Sequence, residues 1–255
     1  MKYIDYSVVS HIAEIGLNHE PVNALDEAMV DEIIGALMQA NNDTSVRCII
    51  LYSKIPNRFC AGLDLKKLFK STPEARRSLL TKLYVKLYDA QFNLTKPSIS
   101  VVSGAVRGGG MTVAISSDII LSDRDATFGY SEIDVGVLPA IHFSHLHRIV
   151  GKYKAFEMLF GGRIFGAQEA EQLGLINHLH DAGQLMDEAR AMARLLANKP
   201  SAVMAMGRQA FVNATDNEYR RGIASAVDYF CNVCNLAQAQ EGMQAFMEKR
   251  KPDWH

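Results

Sequence analysis

Ser103-Gly-Ala-Val-Arg-Gly-Gly-Gly-Met111 sets a glycine triplet between an apolar, β-rich run and a helical pattern. Glycine has no Cβ, so the N–H groups of such a stretch stay bare and a reacting group can come close to the main chain. The helix that follows would add the positive end of its dipole. The stretch therefore predicts a cradle for something negative, or becoming negative. Taken alone, the same residues also suit a tight turn.

Working outward, residues 98–103 (SISVVS) and 46–52 (VRCIILY) are short apolar runs bounded by turn signals, as expected of strands buried on both faces. Each is followed by glycine and then a helical period. Residues 26–39 carry apolar side chains at i, i+3, i+4 and i+7, with Asp26 as candidate N-cap, and residues 81–93 repeat the pattern. Strands alternating with helices predict an α/β fold with a parallel sheet and crossover connections. The first 20 residues alternate as strands do, residues 118–122 add another strand, and residues 127–129 a short extended piece. From Lys152 the pattern is helical, over 155–160, 167–173, 182–197, 201–212 and 218–247. A boundary near Pro200 divides a core, 1–199, from a C-terminal helical region, 200–255.

A chain of 255 residues can bury a substantial core. With 48% hydrophobic and 22% charged residues and a formal net charge of -1, nothing global draws it to nucleic acid or to an anionic membrane. No apolar run reaches the roughly 18 residues of a membrane span, and the amino terminus does not read as a signal peptide; a cytoplasmic or matrix-like location is expected. Four cysteines in a chain this long fit reduced thiols, and Cys231-Asn-Val-Cys234 reads as two residues on one helix turn. Residues 66–86 are locally basic (Lys66, Lys67, Lys70, Arg76, Arg77, Lys82, Lys86), either a solvated face or a phosphate-binding lid.

Two glycine loops follow two strands, Arg58-Phe-Cys-Ala-Gly-Leu-Asp-Leu65 and the 104–110 stretch, and their amides could converge on one oxygen. Paired backbone donors aimed at a developing oxyanion contribute about 3 to 4 kcal/mol each in acyl-type reactions. The loops lack the G-x-G-x-x-G spacing, the phosphate-binding Gly-Lys-Ser/Thr and the G-x-S-x-G elbow. Glu132 lies in an apolar stretch, Phe128-Gly-Tyr-Ser-Glu-Ile-Asp-Val-Gly-Val-Leu-Pro139. Burial would raise its pKa and suit it to proton transfer, while a salt bridge would account for it equally well.

A longer series of ordered motifs gives these residues a context: Pro21-Val-Asn-Ala-Leu25, Phe59-Cys-Ala-Gly-Leu-Asp-Leu65, Lys96-Pro97, the glycine stretch, Asp118, Phe128-Gly129, Glu132, Gly136-Val-Leu-Pro139, Ala167-Gln-Glu-Ala170, Gly174-Leu-Ile-Asn177 and Glu241-Gly-Met-Gln-Ala-Phe-Met-Glu-Lys-Arg-Lys-Pro252. Over essentially its full length the chain resembles the crotonase (enoyl-CoA hydratase/isomerase) superfamily. The resemblance implies a spiral of ββα units with a C-terminal helical region that assembles trimers, often paired into hexamers. It implies an acyl-CoA thioester as substrate, no metal and no cofactor beyond the coenzyme A that the substrate carries. The oxyanion-hole amides would be those of Leu63 and Gly109. Ala61 matches the position whose carbonyl receives the adenine, with Arg58, Lys66 and Lys67 as candidate phosphate partners and Lys249 and Lys251 as further basic residues near the C-terminus.

The family's hydratases divide acid and base work between two carboxylates twenty positions apart. Here those positions hold Thr112 and Glu132. A threonine can hold a water but cannot act as its base near neutral pH, whereas one glutamate suffices to shuttle a proton from C2 to C4. The chain in this respect resembles the Δ3-Δ2-enoyl-CoA isomerases. Hydration of a 2-enoyl-CoA, decarboxylation or thioester hydrolysis, and a non-catalytic CoA- or RNA-binding role stand as alternatives. A second departure is Ala140-Ile-His-Phe-Ser-His-Leu-His-Arg148, which follows Pro139 where hydratases run on in glycines. His142, His145 and His147 could line the acyl pocket, with His142 also as a second acid or base, but structural or surface roles are the reading favoured for all three; Thr112 is a further candidate for the pocket.

Overall fold

Aliphatic and β-branched residues in unbroken runs bury both faces of a strand, and the central strands do so. The computed structural model describes residues 1–254. In it, every residue of Ile12–Leu17 and of Ser98–Val102 is buried, as are the first four of Cys48–Ser53. A six-stranded sheet runs in the order Ile4–Val9, Ile12–Leu17, Cys48–Ser53, Ser98–Val102, Ile119–Asp123, His178–His180. The first pair is an antiparallel hairpin and every later neighbour is parallel.

Strand alternation splits the core in two. Ile49 and Leu51 face the helix Glu27–Asn42, where Met29, Val30, Ile33 and Leu37 are fully buried; Cys48 and Ile50 face the helix Leu185–Ala197 through Leu185, Ala189 and Ala193. Each large side chain of the first helix contributes about 1.5 to 3 kcal/mol by burial. Asp26 caps that helix, accepting from the Met29 amide at 2.9 Å.

The glycine loops contain short strands of their own. Ile164–Gly166, Thr127–Gly129, Ala105–Arg107 and Arg58–Cys60 form a four-stranded sheet in that order, and Gly62–Leu63 pairs with Ala24–Leu25. This second layer sets the two loops side by side.

Two helical expectations are corrected. Residues 81–93 are not one α-helix: Pro73–Leu80 leads into a π-helical Thr81–Lys86 and then Leu87–Phe92. Residues 201–212 and 218–247 are not two helices split near 215. Ser201–Val233 runs unbroken, and the chain turns at Cys234 before Ala237–Glu248. Asn213, Thr215 and Asp216 are weak helix formers, but no proline or glycine stops the helix there. Buried Val212, Tyr219, Ile223, Val227 and Phe230 recur at helical spacing and override propensity. Arg208 clamps this helix to the core, with Nε 2.9 Å from Asp118 Oδ2 and Nη2 2.8 Å from the Gln91 carbonyl.

The basic 66–86 segment is largely a solvated face, with Lys66, Lys67, Lys70, Arg77 and Lys86 exposed, and part of it is pinned by ion pairs. Lys67 pairs with Asp26, Arg77 with Asp228 at 2.7 Å, and Lys82 with Glu27 and Asp31 at 2.8 and 2.6 Å, while Arg76 is buried. Three of its seven cations are therefore paired within the chain, while Lys66, Lys70 and Lys86 face solvent. All four cysteines are free, and burial pushes the Cys48 and Cys60 thiols up to about 12.

Candidate active site

The two glycine loops meet backbone to backbone. A Cβ on Gly62, whose φ is 91°, would stand 2.8 Å from the Arg107 carbonyl oxygen and 3.2 Å from the Gly109 nitrogen. A Cβ on Gly109 would in turn stand 3.5 Å from the Leu63 nitrogen. Any side chain at position 62 would push the loops apart, so the approach depends on glycine.

Gly108 has φ 48° and ψ -117°, a positive-φ conformation that favours glycine, and acts as N-cap of the helix Gly109–Ile115. Its carbonyl accepts from Met111 at 2.8 Å. Gly109 is the first residue of that helix, so its N–H has no carbonyl four residues back to bond. Ala61 and Asp64, flanking the other loop, donate to Val22 and Leu25 at 3.0 and 2.9 Å and fix Leu63 between them. The helix is only seven residues long, so the individual amides, more than a macrodipole, supply the positive field anticipated at the triplet.

Glu132 is delivered by the 3-10 turn Ser131–Val135, which follows the strand Thr127–Gly129. A bond from the Gly108 amide to the Gly129 carbonyl, 3.1 Å, ties that strand to the glycine loop. A Cβ on Gly108 would lie 3.1 Å from both Cδ and Oε1 of Glu132, so the carboxyl packs directly on the Gly108 backbone. Its Oε2 is buried with no hydrogen-bond partner among the described residues. Desolvation pushes the Glu132 carboxyl up to about 7. Burial and the nearby Glu132 also raise the phenols of Tyr84 and Tyr130. A carboxyl poised near neutrality can both take and return a proton.

A cavity of about 540 Å³ opens over these groups, and Ala61, Leu63, Lys66, Gly109 and Glu132 all stand on its wall. Two other carboxylates border it: Glu20 is exposed, and Asp64 caps the helix Leu65–Lys70 by accepting from the Lys66 and Lys67 amides at 3.1 Å. Arg58 is exposed, with its guanidinium 3.1 Å from the Asn57 carbonyl, and is not on the wall. Lys67 also lies off the wall, in its ion pair with Asp26.

Thr112 and His142 do not line the cavity. Both are buried behind the glycine turn, where Thr112 Oγ1 and His142 Nε2 are 3.4 Å apart. The imidazole stands edge-on to the Tyr130 ring, centroids 4.6 Å apart at 62°. Burial, reinforced by His145, holds His142 down to about 3, so at neutral pH it is uncharged and not an exchangeable acid. His145 is likewise pushed down to about 4 by burial and packs against Tyr219, while His147 is exposed and engages the Phe143 carbonyl at 2.9 Å. The three histidines do not converge on the reacting region.

Two wall residues carried little signal in the sequence. Arg107 lies inside the glycine stretch, and its Nη1 donates to the Thr127 and Val106 carbonyls at 2.6 and 2.8 Å. Burial lowers its pKa, with Arg58 adding to the effect. A cation in an apolar-glycine motif was the available clue. Phe246 reaches the wall from the helix Ala237–Glu248. That helix sits flush on the Glu132 loop, since a Cβ on Gly136 would meet Ala239 Cα at 2.8 Å and one on Gly242 the Val135 carbonyl at 2.5 Å. Nothing local to residue 246 announces that contact.

Residues 8–255 match the family model described as enoyl-CoA hydratase/isomerase. A protein of Dictyostelium discoideum named "Probable enoyl-CoA hydratase, mitochondrial" is 33% identical, covering 92% of this chain and 83% of that one. One of Bacillus subtilis (strain 168), "Probable enoyl-CoA hydratase", is 29% identical over 100% of this chain and 99% of its own. The crystal structure of a probable enoyl-CoA hydratase from Mycobacterium smegmatis superposes with a TM-score of 0.83 at 29% identity, covering 99% of this chain and 100% of that one.

Proposed function

The chain belongs to the enoyl-CoA hydratase/isomerase family, with the crotonase-type fold, and from that premise we propose that it is a Δ3-Δ2-enoyl-CoA isomerase. The thioester carbonyl sits between the Leu63 and Gly109 amides. Glu132, as carboxylate, takes a proton from C2 of a 3-enoyl thioester; the C–H electron pair moves into the C2–C1 bond and charge collects on the thioester oxygen. The two N–H groups stabilise that enolate, about 3 to 4 kcal/mol for each donor. The same carboxyl then returns its proton to C4, the double bond moves from C3–C4 to C2–C3, and the enzyme ends as it began. Holding one acid over two carbons makes the transfer effectively unimolecular.

The observation that carries this reading is the asymmetry of the site. One carboxyl packs on the Gly108 backbone with a pKa of about 7, and the partner position twenty residues earlier is a threonine buried against a neutral histidine. Hydration of a 2-enoyl-CoA is the second reading, favoured by the names of the relatives; it would need Glu132 to serve the water and C2 in turn.

Turnover should be compared on 3-enoyl-, 2-enoyl- and malonyl-type CoA esters. Faster conversion of the 3-enoyl ester is expected, and turnover of only the malonyl type would sink the proposal. Glu132→Gln should abolish nearly all turnover while keeping thioester affinity. Coenzyme A enters as part of the substrate, with no separate cofactor; Lys66, a lysine on the cavity wall, would meet its phosphates. A homotrimer or homohexamer in the cytoplasm completes the proposal, to be checked by light scattering and fractionation. Among the described residues no helix is long and apolar enough to cross a membrane.

A further inference from the structure

We infer that His142, acting through Thr112, is a positioning residue that aims the Gly109 amide into the cavity. The inference rests on the oxyanion-hole reading above and deepens it.

Three consecutive glycines span the turn into Gly109–Ile115. Glycine loses more freedom on ordering than any other residue, and the N-cap Gly108 has no side chain to tie down the first amides. A turn built this way needs an external brace. The Gly108–Gly109 peptide is planar and trans, so its C=O and N–H point in opposite directions. Whatever holds the Gly108 carbonyl inward therefore holds the Gly109 N–H outward, toward the substrate.

Two amides hold that carbonyl, Met111 at 2.8 Å and Thr112 at a long 3.4 Å. Thr112 is in turn braced by His142, Nε2 to Oγ1 at 3.4 Å. His142 itself is fixed on the 3-10 turn Ala140–Phe143, wholly buried and edge-on to Tyr130. Its Nδ1 has no partner among the described residues, and burying such a group is unfavourable relative to an apolar side chain of similar shape. An apolar residue would fill the space with less penalty but could not hold the Thr112 hydroxyl.

The test uses cinnamoyl-CoA, a conjugated thioester whose absorption shifts to the red when hydrogen bonds polarise its carbonyl, together with turnover of a 3-enoyl-CoA. His142→Ala should lose most of the red shift and lower kcat by about 10- to 100-fold, the scale expected of a displaced oxyanion donor, with KM within about threefold. Thr112→Val should reproduce the effect, the double variant should add little to either single one, and His142→Gln should restore part of it. The pH dependence of kcat/KM should keep its Glu132 limb in all of them. A His142→Ala enzyme with wild-type kcat and red shift overturns the inference, and so does a displaced pH limb, which would make His142 a proton-transfer group. If His142→Ala does not fold, Thr112→Val decides by the same readings. A red shift lost in the variants while no enoyl ester is turned over upholds the positioning role and rejects the isomerase assignment; no red shift in the wild-type protein overturns both.

Discussion

Glu132→Gln joins the electrostatics of the site to its chemistry in one substitution. The wild-type carboxyl is lifted from an ordinary 4.5 to about 7 because desolvation penalises its charge. Below pH 4.5 the group is protonated in both folded and unfolded chains and has no effect on stability. Between 4.5 and 7 the unfolded chain releases the proton while the folded chain keeps it, so stability falls as pH rises. Above 7 both are ionised and the loss is constant. At about 1.4 kcal/mol per pH unit, it amounts to about 3 kcal/mol. Glutamine cannot ionise, so the stability of the variant relative to wild type should grow by up to that amount between pH 4 and pH 8. Subtracting the two pH values removes any constant effect of the new amide. Denaturant unfolding of both proteins at each pH, at one fixed protein concentration, measures it. In parallel, wild-type kcat/KM on a 3-enoyl-CoA should rise through pH 7 as the base ionises, and the variant should fall by about a thousandfold or more with no such limb. A stability difference independent of pH, or a kinetic limb near 4.5, would refute the reasoning.

Other substitutions probe the surrounding frame. Gly108→Ala forces a Cβ to within 3.1 Å of the Glu132 carboxyl at φ 48°, and backbone strain of about 1 to 3 kcal/mol should appear as a lowered Tm together with at least a tenfold lower kcat. Lys66→Ala should weaken CoA binding by about 3- to 10-fold, within the range of an exposed to partly buried charge contact, as read by titration calorimetry. Lys67→Ala should leave that affinity unchanged, because the ammonium is bound to Asp26. Arg208→Ala strips a nearly buried guanidinium from Asp118 and from the Gln91 carbonyl and should cost about 3 to 5 kcal/mol in denaturant unfolding, with KM little changed.

Much of the site was legible in the chain because its chemistry sits in the backbone. Gly62, Gly108 and Gly109 are required by close approach and turn geometry, and such requirements leave a residue type behind at a fixed spacing. Asp26 as cap, the buried strands and the 127–129 strand were legible for the same reason: local stereochemistry decides them. The ion pairs of Lys67 and Arg77 were not. A cation's role depends on which carboxylate lies opposite, and Asp26 and Asp228 come from distant parts of the chain. The continuity of Ser201–Val233 was hidden by weak helix formers whose cost is outweighed by tertiary burial.

The α/β alternation, the two glycine loops and a glutamate with a threonine twenty positions before it can be read from the chain alone, because each is a property of residue types and their spacing. The packed chain adds that the acid's charge is desolvated, that Thr112 and His142 lie behind the glycine turn instead of in the cavity, and that Phe246 comes back to its wall. Burial and approach are relations between segments far apart in the chain, so they acquire values only when the chain packs.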